Sequence, residues 1–193
     1  MRVAGLVLAA GAGRRYGGPK ALARDPDGTA WLVRAVDVLR AAGCDPVLVV
    51  LGAEAERAAA LLAGRDDVTT VVAPAWEQGM GASLRTGLDA LADGSEDPVG
   101  VLVHLVDLPD VTSAVVARVL SRASGPGDLA RASYDGRPGH PVLLGRDHWH
   151  QVASSAHGDQ GAREHLATHA HTLVECGDLA GGHDVDVPRP DQP

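Results

Sequence analysis

The chain has 193 residues and 45% of them are hydrophobic, a length and composition that fit one globular domain with a hydrophobic core. A formal charge of −8 argues against a general nucleic-acid-binding protein, and no apolar run approaches the roughly 18 residues that span a membrane. The two cysteines, Cys44 and Cys176, form no disulfide framework and suit a reducing compartment, so we expect a cytoplasmic protein.

The first apolar run, Val3–Ala10, follows a basic residue and precedes small ones, as in a secretory signal peptide. Gly5 interrupts the run, however, and two arginines follow it closely, which a signal peptide does not favour. We therefore interpret Val3–Leu8 as a buried strand, with a signal peptide as the lesser alternative.

Short runs rich in Val and Leu alternate with segments of helical spacing in the first half of the chain. Such runs are typical of parallel strands that are buried on both faces. Strands that alternate with helices imply right-handed βαβ units and a mostly parallel sheet. The predicted elements, strand and helix in turn, are Val3–Leu8, Trp31–Ala42, Val47–Leu51, Glu54–Ala63, Val68–Val72, Ala82–Ala92, Val99–Val106 and Val111–Ala123.

The second half has a different pattern. Ala130–Tyr134 and Pro141–Leu144 flank the dipeptide Asp135-Gly136, which is typical of a tight turn, and together they predict a β-hairpin. We therefore predict a single Rossmann-like three-layer α/β domain over residues 1–193, with a mostly parallel sheet and a C-terminal half elaborated by this hairpin and by helices. Two short helices and a last strand complete it, at Arg146–Ser154, Ala162–Ala170 and Thr172–Cys176.

A glycine-rich loop, Gly11–Gly18, follows the first strand. Glycines there permit a positive φ and let backbone N–H groups approach a phosphate closely. The dinucleotide-binding fingerprint does not match, because Tyr16 stands where its third glycine is needed. The Walker A pattern does not match either, because Pro19 separates the last glycine from Lys20.

Basic charge is concentrated around this loop. Residues 1–24 hold five basic residues and no acidic one in a chain of net charge −8, which favours a polyanion such as a nucleoside triphosphate. An ordinary surface loop with solvated arginines is the alternative. Of the 17 basic residues 16 are arginine, so Lys20 is the one lysine; it is either a chance survivor in a GC-rich genome or a compact charge that arginine cannot replace.

The segment from Leu8 to Lys20 resembles the signature Leu-Ala-Ala-Gly-x-x-x-Arg-x-Gly-x-x-Lys of nucleotidyltransferases of the molybdenum-cofactor type. The resemblance implies that the loop wraps a nucleoside triphosphate, with Arg15 and Lys20 acting catalytically by neutralising its charge. Ala-Ala-Gly, where other members have Ala-Gly-Gly, implies CTP rather than GTP. The implied nucleotide-binding residues of the loop are Leu8, Ala9, Ala10, Gly11, Gly13, Arg14, Arg15 and Lys20.

The segment Gly79–Arg85 opens a predicted helix. By itself it is typical of a plain helix N-terminus, where free N–H groups can also bind an anion. The resemblance implies a part in the nucleotide pocket, with Ser83 and Arg85 as contacts, although Gly81 and Ala82 replace the more usual serines.

Two aspartates are the candidate metal ligands. Asp107 follows the fourth predicted strand, where α/β proteins bind ligands, and it either holds Mg²⁺ or caps the next turn. The resembled family has Asp-x-Pro here, with the aspartate as a catalytic metal ligand, and Leu108 stands where glutamine is more frequent. Asp184–Pro188 resembles the family's closing Asp-Ile-Asp-Thr-Pro, which implies that Asp186 joins the same Mg²⁺ site.

Two further motifs resemble the cytidylyltransferases that act on the molybdenum cofactor. Gly139-His140-Pro141 and Gly158–Arg163 imply that His140, Asp159 and Arg163 bind the acceptor. From the residue alone, His140 could equally be an ordinary histidine at a strand end.

Eight of the nine histidines lie from His140 onward, so zinc has to be considered. Glu164 precedes His165 and His169 in an order that differs from the zinc-protease motif, and the other closely spaced histidines have no cysteine nearby. We interpret these histidines as structural or incidental.

The sequence thus predicts a Mg²⁺-dependent cytidylyltransferase in which the phosphate of an acceptor attacks the α-phosphorus of CTP and pyrophosphate leaves. The resemblance implies molybdenum-carrying molybdopterin as acceptor and a molybdenum hydroxylase as the user of the cytosine dinucleotide. Transfer from GTP, or onto a phosphorylated sugar or alcohol, is the close alternative. A non-catalytic module that delivers the cofactor to a partner enzyme is the alternative of another class.

Overall fold

Seven strands form one mixed sheet in the computed structural model, which describes residues 1–187. Along the sheet the order is β3-β2-β1-β4-β6-β5-β7. The first four strands run parallel, β6 is antiparallel to β4 and β5, and β7 is parallel to β5. The strands are β1 Val3–Ala9, β2 Val47–Leu51, β3 Val68–Val72, β4 Gly100–Leu105, β5 Leu129–Tyr134, β6 Arg137–Gly145 and β7 Thr172–Glu175.

Helices cover both faces of the sheet. Helices α1, α2 and α4 contribute buried side chains to the hydrophobic core on one face, and α3, α5 and α6 to the core on the other. Every residue of β1 is buried, because alternate side chains of this central strand enter the two cores. The helices are α1 Trp31–Ala41, α2 Ala55–Ala60, α3 Met80–Asp93, α4 Ser113–Leu120, α5 Trp149–Ser155 and α6 Arg163–Thr168, with short 3₁₀ helices at Lys20–Leu22, Trp76–Gln78 and Arg146–His148.

The predicted fold class is confirmed: the sheet is mostly parallel, lies between two helical layers and carries a hairpin in the second half. Asp135 and Gly136 form the hairpin turn with φ of 51° and 76°. Positive φ at both central residues is what the twist of a two-residue hairpin requires, and it explains why Asp-Gly predicts one here. The predicted domain over residues 1–193 stays a prediction, since it includes Pro188 and the tail, which lie outside the described residues.

The prediction that β3 is buried on both faces is wrong. β3 is the edge strand of the sheet, three of its five residues are exposed, and Val72 is 54% exposed. Its run of Val and Thr is typical of a strand, but the run does not reveal which strand has a neighbour on one side only. Helix α2 is also shorter than the predicted Glu54–Ala63: Glu54, with φ of 49°, lies outside the helical conformation at its start, and the chain continues in turns after Ala60.

The chain order of the strands locates a crevice at the carboxyl ends of β1 and β4. From β1 the chain builds outward through β2 to β3, and then returns to place β4 on the opposite side of β1. Connections that leave two neighbouring parallel strands in opposite directions open a gap between them, where α/β proteins bind ligands. Among the described residues, no helix is long and apolar enough to cross a membrane.

Candidate functional site

The loop after β1 is folded around the carbonyl oxygen of Gly13. The backbone N–H groups of Tyr16, Gly17 and Gly18 donate to this oxygen at 2.9, 2.9 and 3.2 Å. Gly13 has φ of 57°, and a Cβ there would lie 1.9 Å from the carbonyl oxygen of Gly18, so only glycine fits. The tight turn leaves Gly11 and Gly18 beside open space, where backbone can approach a ligand.

Lys20 lies between two carboxylates from distant parts of the chain. Its Nζ donates to Oδ2 of Asp107 and to Oδ1 of Asp186, both at 2.9 Å. A guanidinium nitrogen of Arg15 lies 3.0 Å from the other oxygen of Asp186. The loop after β1, the turn after β4 and the C-terminal segment therefore meet at one ammonium group.

This arrangement determines the charge states of Lys20 and Asp186. Burial alone would lower the pKa of Lys20, but the hydrogen bonds that its ammonium donates to Asp107 and Asp186 outweigh burial and raise the pKa above its ordinary value. The hydrogen bond from Lys20 in turn lowers the pKa of Asp186. At neutral pH Lys20 is a cation and Asp186 an anion.

Backbone contacts bring the C-terminal segment to the site. The N–H of Val185 donates to the carbonyl oxygen of Asp107 at 3.1 Å. Oδ2 of Asp110 accepts the N–H groups of Gly181 and Gly182 at 2.9 and 3.0 Å. Asp110 is therefore a positioning residue for Asp186, which the sequence did not indicate because its partners lie 71 and 72 residues away.

These elements enclose a cleft of about 550 Å³ over the crevice. Ala9 and Arg85 are not among its lining residues within the described chain. Ala9 faces the core, and Arg85, two residues beyond Ser83, lies on another side of α3 and donates to the carbonyl oxygen of Ala156 at 3.1 Å. The residues of the predicted nucleotide site that do line the cleft are Leu8, Ala10, Gly11, Gly13, Arg14, Arg15, Lys20 and Ser83.

The cleft is not a region of net positive charge. Of the five basic residues within positions 1–24, Arg2 pairs with Asp45 and Glu96, and Arg24 donates to the carbonyl oxygen of Gly28. Three cationic and five carboxylate side chains line the cleft, so folding reverses the local charge balance that the sequence indicates. The three cations are Arg14, Arg15 and Lys20, and the carboxylates are Glu77, Asp107, Asp159, Asp184 and Asp186.

The donor set fits a divalent cation. Oδ1 of Asp107 is buried and has no hydrogen-bond partner, while its other oxygen accepts from Lys20. A buried carboxylate oxygen without a partner is unfavourable, and a metal ion would satisfy it. Asp186 shares the same ammonium and offers further oxygens, so both predicted metal residues lie together.

The predicted acceptor residues do not converge. Asp159 lines the main cleft, whereas His140 and Arg163 line a second, smaller pocket of about 50 Å³ together with Arg131. The two cavities are adjacent, since Leu8 and Met80 line both. Burial, followed by the charges of Arg131, His104 and Arg163, lowers the pKa of His140 to about 3, so its imidazole is neutral at physiological pH.

The segment before α6 packs tightly against the start of α3. The N–H of Gly81 donates to the carbonyl oxygen of Gly158 at 2.8 Å, and a Cβ on Gly81 would lie 2.5 Å from the backbone nitrogen of His157. This contact explains why glycine stands where a serine was expected. It also holds Asp159 beside Gly79 at the edge of the cleft.

Several residues of the two cavities were missed by the sequence analysis. Tyr16 and Asp184 lie inside two predicted motifs, in which the candidate site residues were other positions, Arg15 and Lys20 in the first and Asp186 in the second. Trp76 and Glu77 follow an edge strand and belong to no motif, so the sequence carried no signal for them. The missed residues are Tyr16, Trp76, Glu77, Met80, Arg131 and Asp184.

Comparison with known proteins identifies the family. Residues 5–173 match the MobA-like NTP transferase domain. The chain belongs to this family. It is a nucleotidyltransferase of the molybdenum-cofactor type, as the motifs predicted.

Relatives extend over nearly the whole chain. Nicotine blue oxidoreductase of Paenarthrobacter nicotinovorans is 37% identical over 96% of this chain and 92% of its own length. The crystal structure of Rv0371c from Mycobacterium tuberculosis H37Rv is 30% identical, with a TM-score of 0.77 over 97% of this chain and 94% of that one. Rv0371c in complex with manganese is 28% identical, with a TM-score of 0.70 over 100% of this chain and 94% of that one.

The contact between α3 and the segment before α6 can be tested by adding one methyl group. We expect Gly81→Ala to lower the free energy of unfolding by about 1–3 kcal/mol, because the new Cβ meets backbone atoms that cannot rotate away. Urea unfolding measures the change. Gly125→Ala, whose Cβ would meet nothing within 4 Å, is the control and should change stability by less than about 0.5 kcal/mol. Equal stability of both variants would contradict the contact.

Proposed function

We propose that this nucleotidyltransferase transfers CMP from CTP to molybdenum-carrying molybdopterin, with Mg²⁺, and releases pyrophosphate. The observation that carries the proposal is the position of Lys20 Nζ, 2.9 Å from both Asp107 and Asp186 at the crevice between β1 and β4. A phosphate oxygen of the acceptor attacks the α-phosphorus of CTP, a new P–O bond forms, and the bond to the β-phosphate breaks. Catalysis consists mainly of positioning and of charge stabilisation.

The glycine loop and its cations bind the triphosphate. Backbone N–H groups near Gly11 and Gly18 approach the phosphates, as the open space beside both glycines allows. Lys20 leaves its carboxylates in part to contact the phosphates, and Arg15, 80% exposed at the rim, moves with it. Both side chains then stabilise the charge that develops on the leaving pyrophosphate.

Asp107 and Asp186 hold the metal ion. Nucleotidyltransferases of this family typically depend on a divalent metal, and the related Rv0371c has been solved with manganese. The ion would neutralise phosphate charge and align the triphosphate. We infer Mg²⁺ because carboxylate oxygens are hard ligands, and because a cleft with more carboxylates than cations needs a cation before it accepts a triphosphate.

The choice of CTP rests on Ala10. Its side chain lines the cleft, and its methyl group takes up space that the glycine of Ala-Gly-Gly members would leave open. A smaller cavity favours a pyrimidine over a purine. Ser83, buried at the same cleft, supplies a hydroxyl for hydrogen bonding to the base.

The acceptor binds at the end of the cleft that adjoins the second, smaller pocket. Arg131 and Arg163 supply cationic groups for an acceptor phosphate, and the neutral His140 orients it by hydrogen bonding. Asp159, which lines the neighbouring main cleft, contacts the acceptor near the reacting phosphate. The product would pass to a molybdenum hydroxylase in the cytoplasm, a location that the free, buried Cys44 and Cys176 support.

One specific observation favours a second candidate, an oxidoreductase. The relative that is 37% identical is named nicotine blue oxidoreductase. Hydride transfer from a nicotinamide dinucleotide would require that cofactor to bind at the glycine loop, which does not match the dinucleotide-binding fingerprint because of Tyr16. Such a reaction has no evident need for the two carboxylates around Lys20. GTP-dependent transfer and transfer onto a sugar or alcohol phosphate are the alternatives within nucleotidyl transfer.

Pyrophosphate release distinguishes these functions. The purified chain is incubated with Mg²⁺, prepared molybdenum-molybdopterin and CTP, GTP, ATP or UTP in turn. We expect pyrophosphate and a cytosine dinucleotide by mass spectrometry, with kcat/KM at least about tenfold higher for CTP than for GTP. Binding without nucleotide consumption would instead support a delivery module, and oxidation of NADH or NADPH with a dye would support the oxidoreductase.

Lys20→Arg tests whether the single lysine is needed as lysine. The guanidinium is larger than the ammonium that now lies 2.9 Å from both carboxylates, so it cannot take the same position. We expect kcat to fall by about 10²–10³-fold, the loss typical of removing one donor that stabilises the transition state. Arg57→Lys, on the exposed side of α2, is the control and should retain full activity. Normal turnover in Lys20→Arg would exclude this role.

Asp107→Asn tests the metal site. The amide keeps the shape of the side chain, and the backbone oxygen still accepts from Val185, so we expect the fold to be retained by circular dichroism. Turnover should fall by at least about 10²-fold, and the remaining activity should need more Mg²⁺. Asp89→Asn, on the exposed face of α3, is the control. Unchanged Mg²⁺ dependence in Asp107→Asn would place the metal elsewhere.

A further inference from the structure

Three histidines that the sequence analysis treated as incidental lie together on the helical layer of α5 and α6. His148 ends the 3₁₀ helix Arg146–His148, His165 belongs to α6, and His169 follows it. One ring nitrogen of each lies within 4.8 Å of the others, and no other set of three potential metal ligands is so closely spaced in residues 1–187. None of the three lines the nucleotide cleft or the acceptor pocket.

Hydrogen bonds to carbonyl groups orient two of the rings. Nε2 of His148 lies 3.1 Å from the carbonyl oxygen of Gly127, and Nδ1 of His169 lies 2.9 Å from that of His165. A carbonyl oxygen only accepts, so these nitrogens carry the ring protons. The opposite nitrogens, Nδ1 of His148 and Nε2 of His169, therefore have free lone pairs, the form in which imidazole binds a metal ion.

The third ring, of His165, lies between the other two. It is 5% exposed, its Nε2 is 3.0 Å from Nδ1 of His148, and its ring stacks on His169 with centroids 3.9 Å apart. Since Nδ1 of His148 has the lone pair, Nε2–H of His165 donates to it. If His165 changes tautomer and carries its proton on Nδ1, its Nε2 has a free lone pair. A cation can then take the place that the Nε2 proton occupies between His165 and His148.

We propose that His148, His165 and His169 form a binding site for a borderline transition-metal ion, Zn²⁺ or a close relative such as Co²⁺ or Ni²⁺. Imidazole nitrogens suit these ions and not Mg²⁺, which prefers oxygen. The carbonyl bonds of His148 and His169 are the outer contacts that metal-binding histidines typically make. Water or an external ligand completes the coordination.

The distances are compatible with this proposal. Zn–N bonds of about 2.0–2.1 Å in a tetrahedral site place ligand nitrogens roughly 3.3 Å apart. The pair His148–His165 is already at 3.0 Å, and the remaining separations are at most 4.8 Å. Because the rings of His165 and His169 are stacked with their planes 15° apart, and imidazole lone pairs lie in the ring plane, the ring of His169 has to turn out of this stack to bind the same ion. Such an ion would tie α6 to the start of α5, and the segment that leads into α6 carries Asp159 of the cleft wall.

Metal titration of the untagged chain tests the proposal. Zn²⁺ is added in the presence of excess Mg²⁺, which occupies the carboxylate site, and binding is followed by calorimetry; Co²⁺ is used in parallel for its visible spectrum. We expect one Zn²⁺ per chain that Mg²⁺ does not displace, and a Co²⁺ spectrum of tetrahedral type. His169→Gln should weaken binding by at least about 100-fold, because loss of an outer contact alone costs about 10–100-fold.

Two further variants keep the test decisive. His148→Gln replaces a half-buried ring if the buried His165 cannot be changed without unfolding, and it should weaken binding as much as His169→Gln. His150→Gln, an exposed histidine of α5 outside the cluster, is the control and should bind normally. The proposal is overturned if excess Mg²⁺ abolishes binding, if all three variants bind alike, or if Asp107→Asn alone removes the bound Zn²⁺.

Discussion

The site depends on the hydrogen-bonded ion pairs that the ammonium group of Lys20 forms with Asp107 and Asp186. These ion pairs join three segments that share no local structure: the loop after β1, the turn after β4 and the C-terminal chain, with sequence separations of 87 and 166 residues. Three side chains from unrelated segments hold each other only if each backbone is already fixed. The turn around Gly13 fixes the first, and the contacts of Asp110 fix the last.

The charge of the cleft makes nucleotide and metal binding depend on each other. Five carboxylates against three cations would repel a triphosphate, and the same carboxylates would attract a divalent ion. We therefore expect a metal–nucleotide complex to bind better than either component alone. In the mechanism that we propose, Lys20 exchanges carboxylate oxygens for phosphate oxygens when this complex binds, so its charge remains compensated throughout. A lysine suits this exchange because its ammonium turns easily between acceptors, whereas a guanidinium is a rigid fork.

The sequence predicted most elements and the ends of the strands that carry the site, because apolar runs bounded by Gly, Pro and Asp are a local signal. Lys20 and Asp107 lie in motifs that follow β1 and β4, but their roles came from the resemblance to a known family and stay predictions. The exposed edge position of β3, the role of Asp110 and the orientation of Arg85 could not be predicted, since each depends on which distant segment packs alongside. The prediction of a positively charged site was wrong for the same reason, because the acidic residues of the cleft come from four separate segments.

Nucleotidyl transfer, the chemistry of this family, is also the chemistry that the charged groups of the site suit. One relative, similar over 96% of this chain, is named as an oxidoreductase, and one fold can carry different chemistries. Nucleotidyl transfer and redox chemistry differ in whether they need the carboxylates around Lys20, which are unfavourable when buried without a partner. Oδ1 of Asp107 is buried without a partner, a state that lowers stability unless a cation uses it, and a hydride transfer gives that oxygen no role. Metal-dependent nucleotidyl transfer gives this oxygen a role as a metal ligand. The buried oxygen of Asp107 therefore favours the transferase.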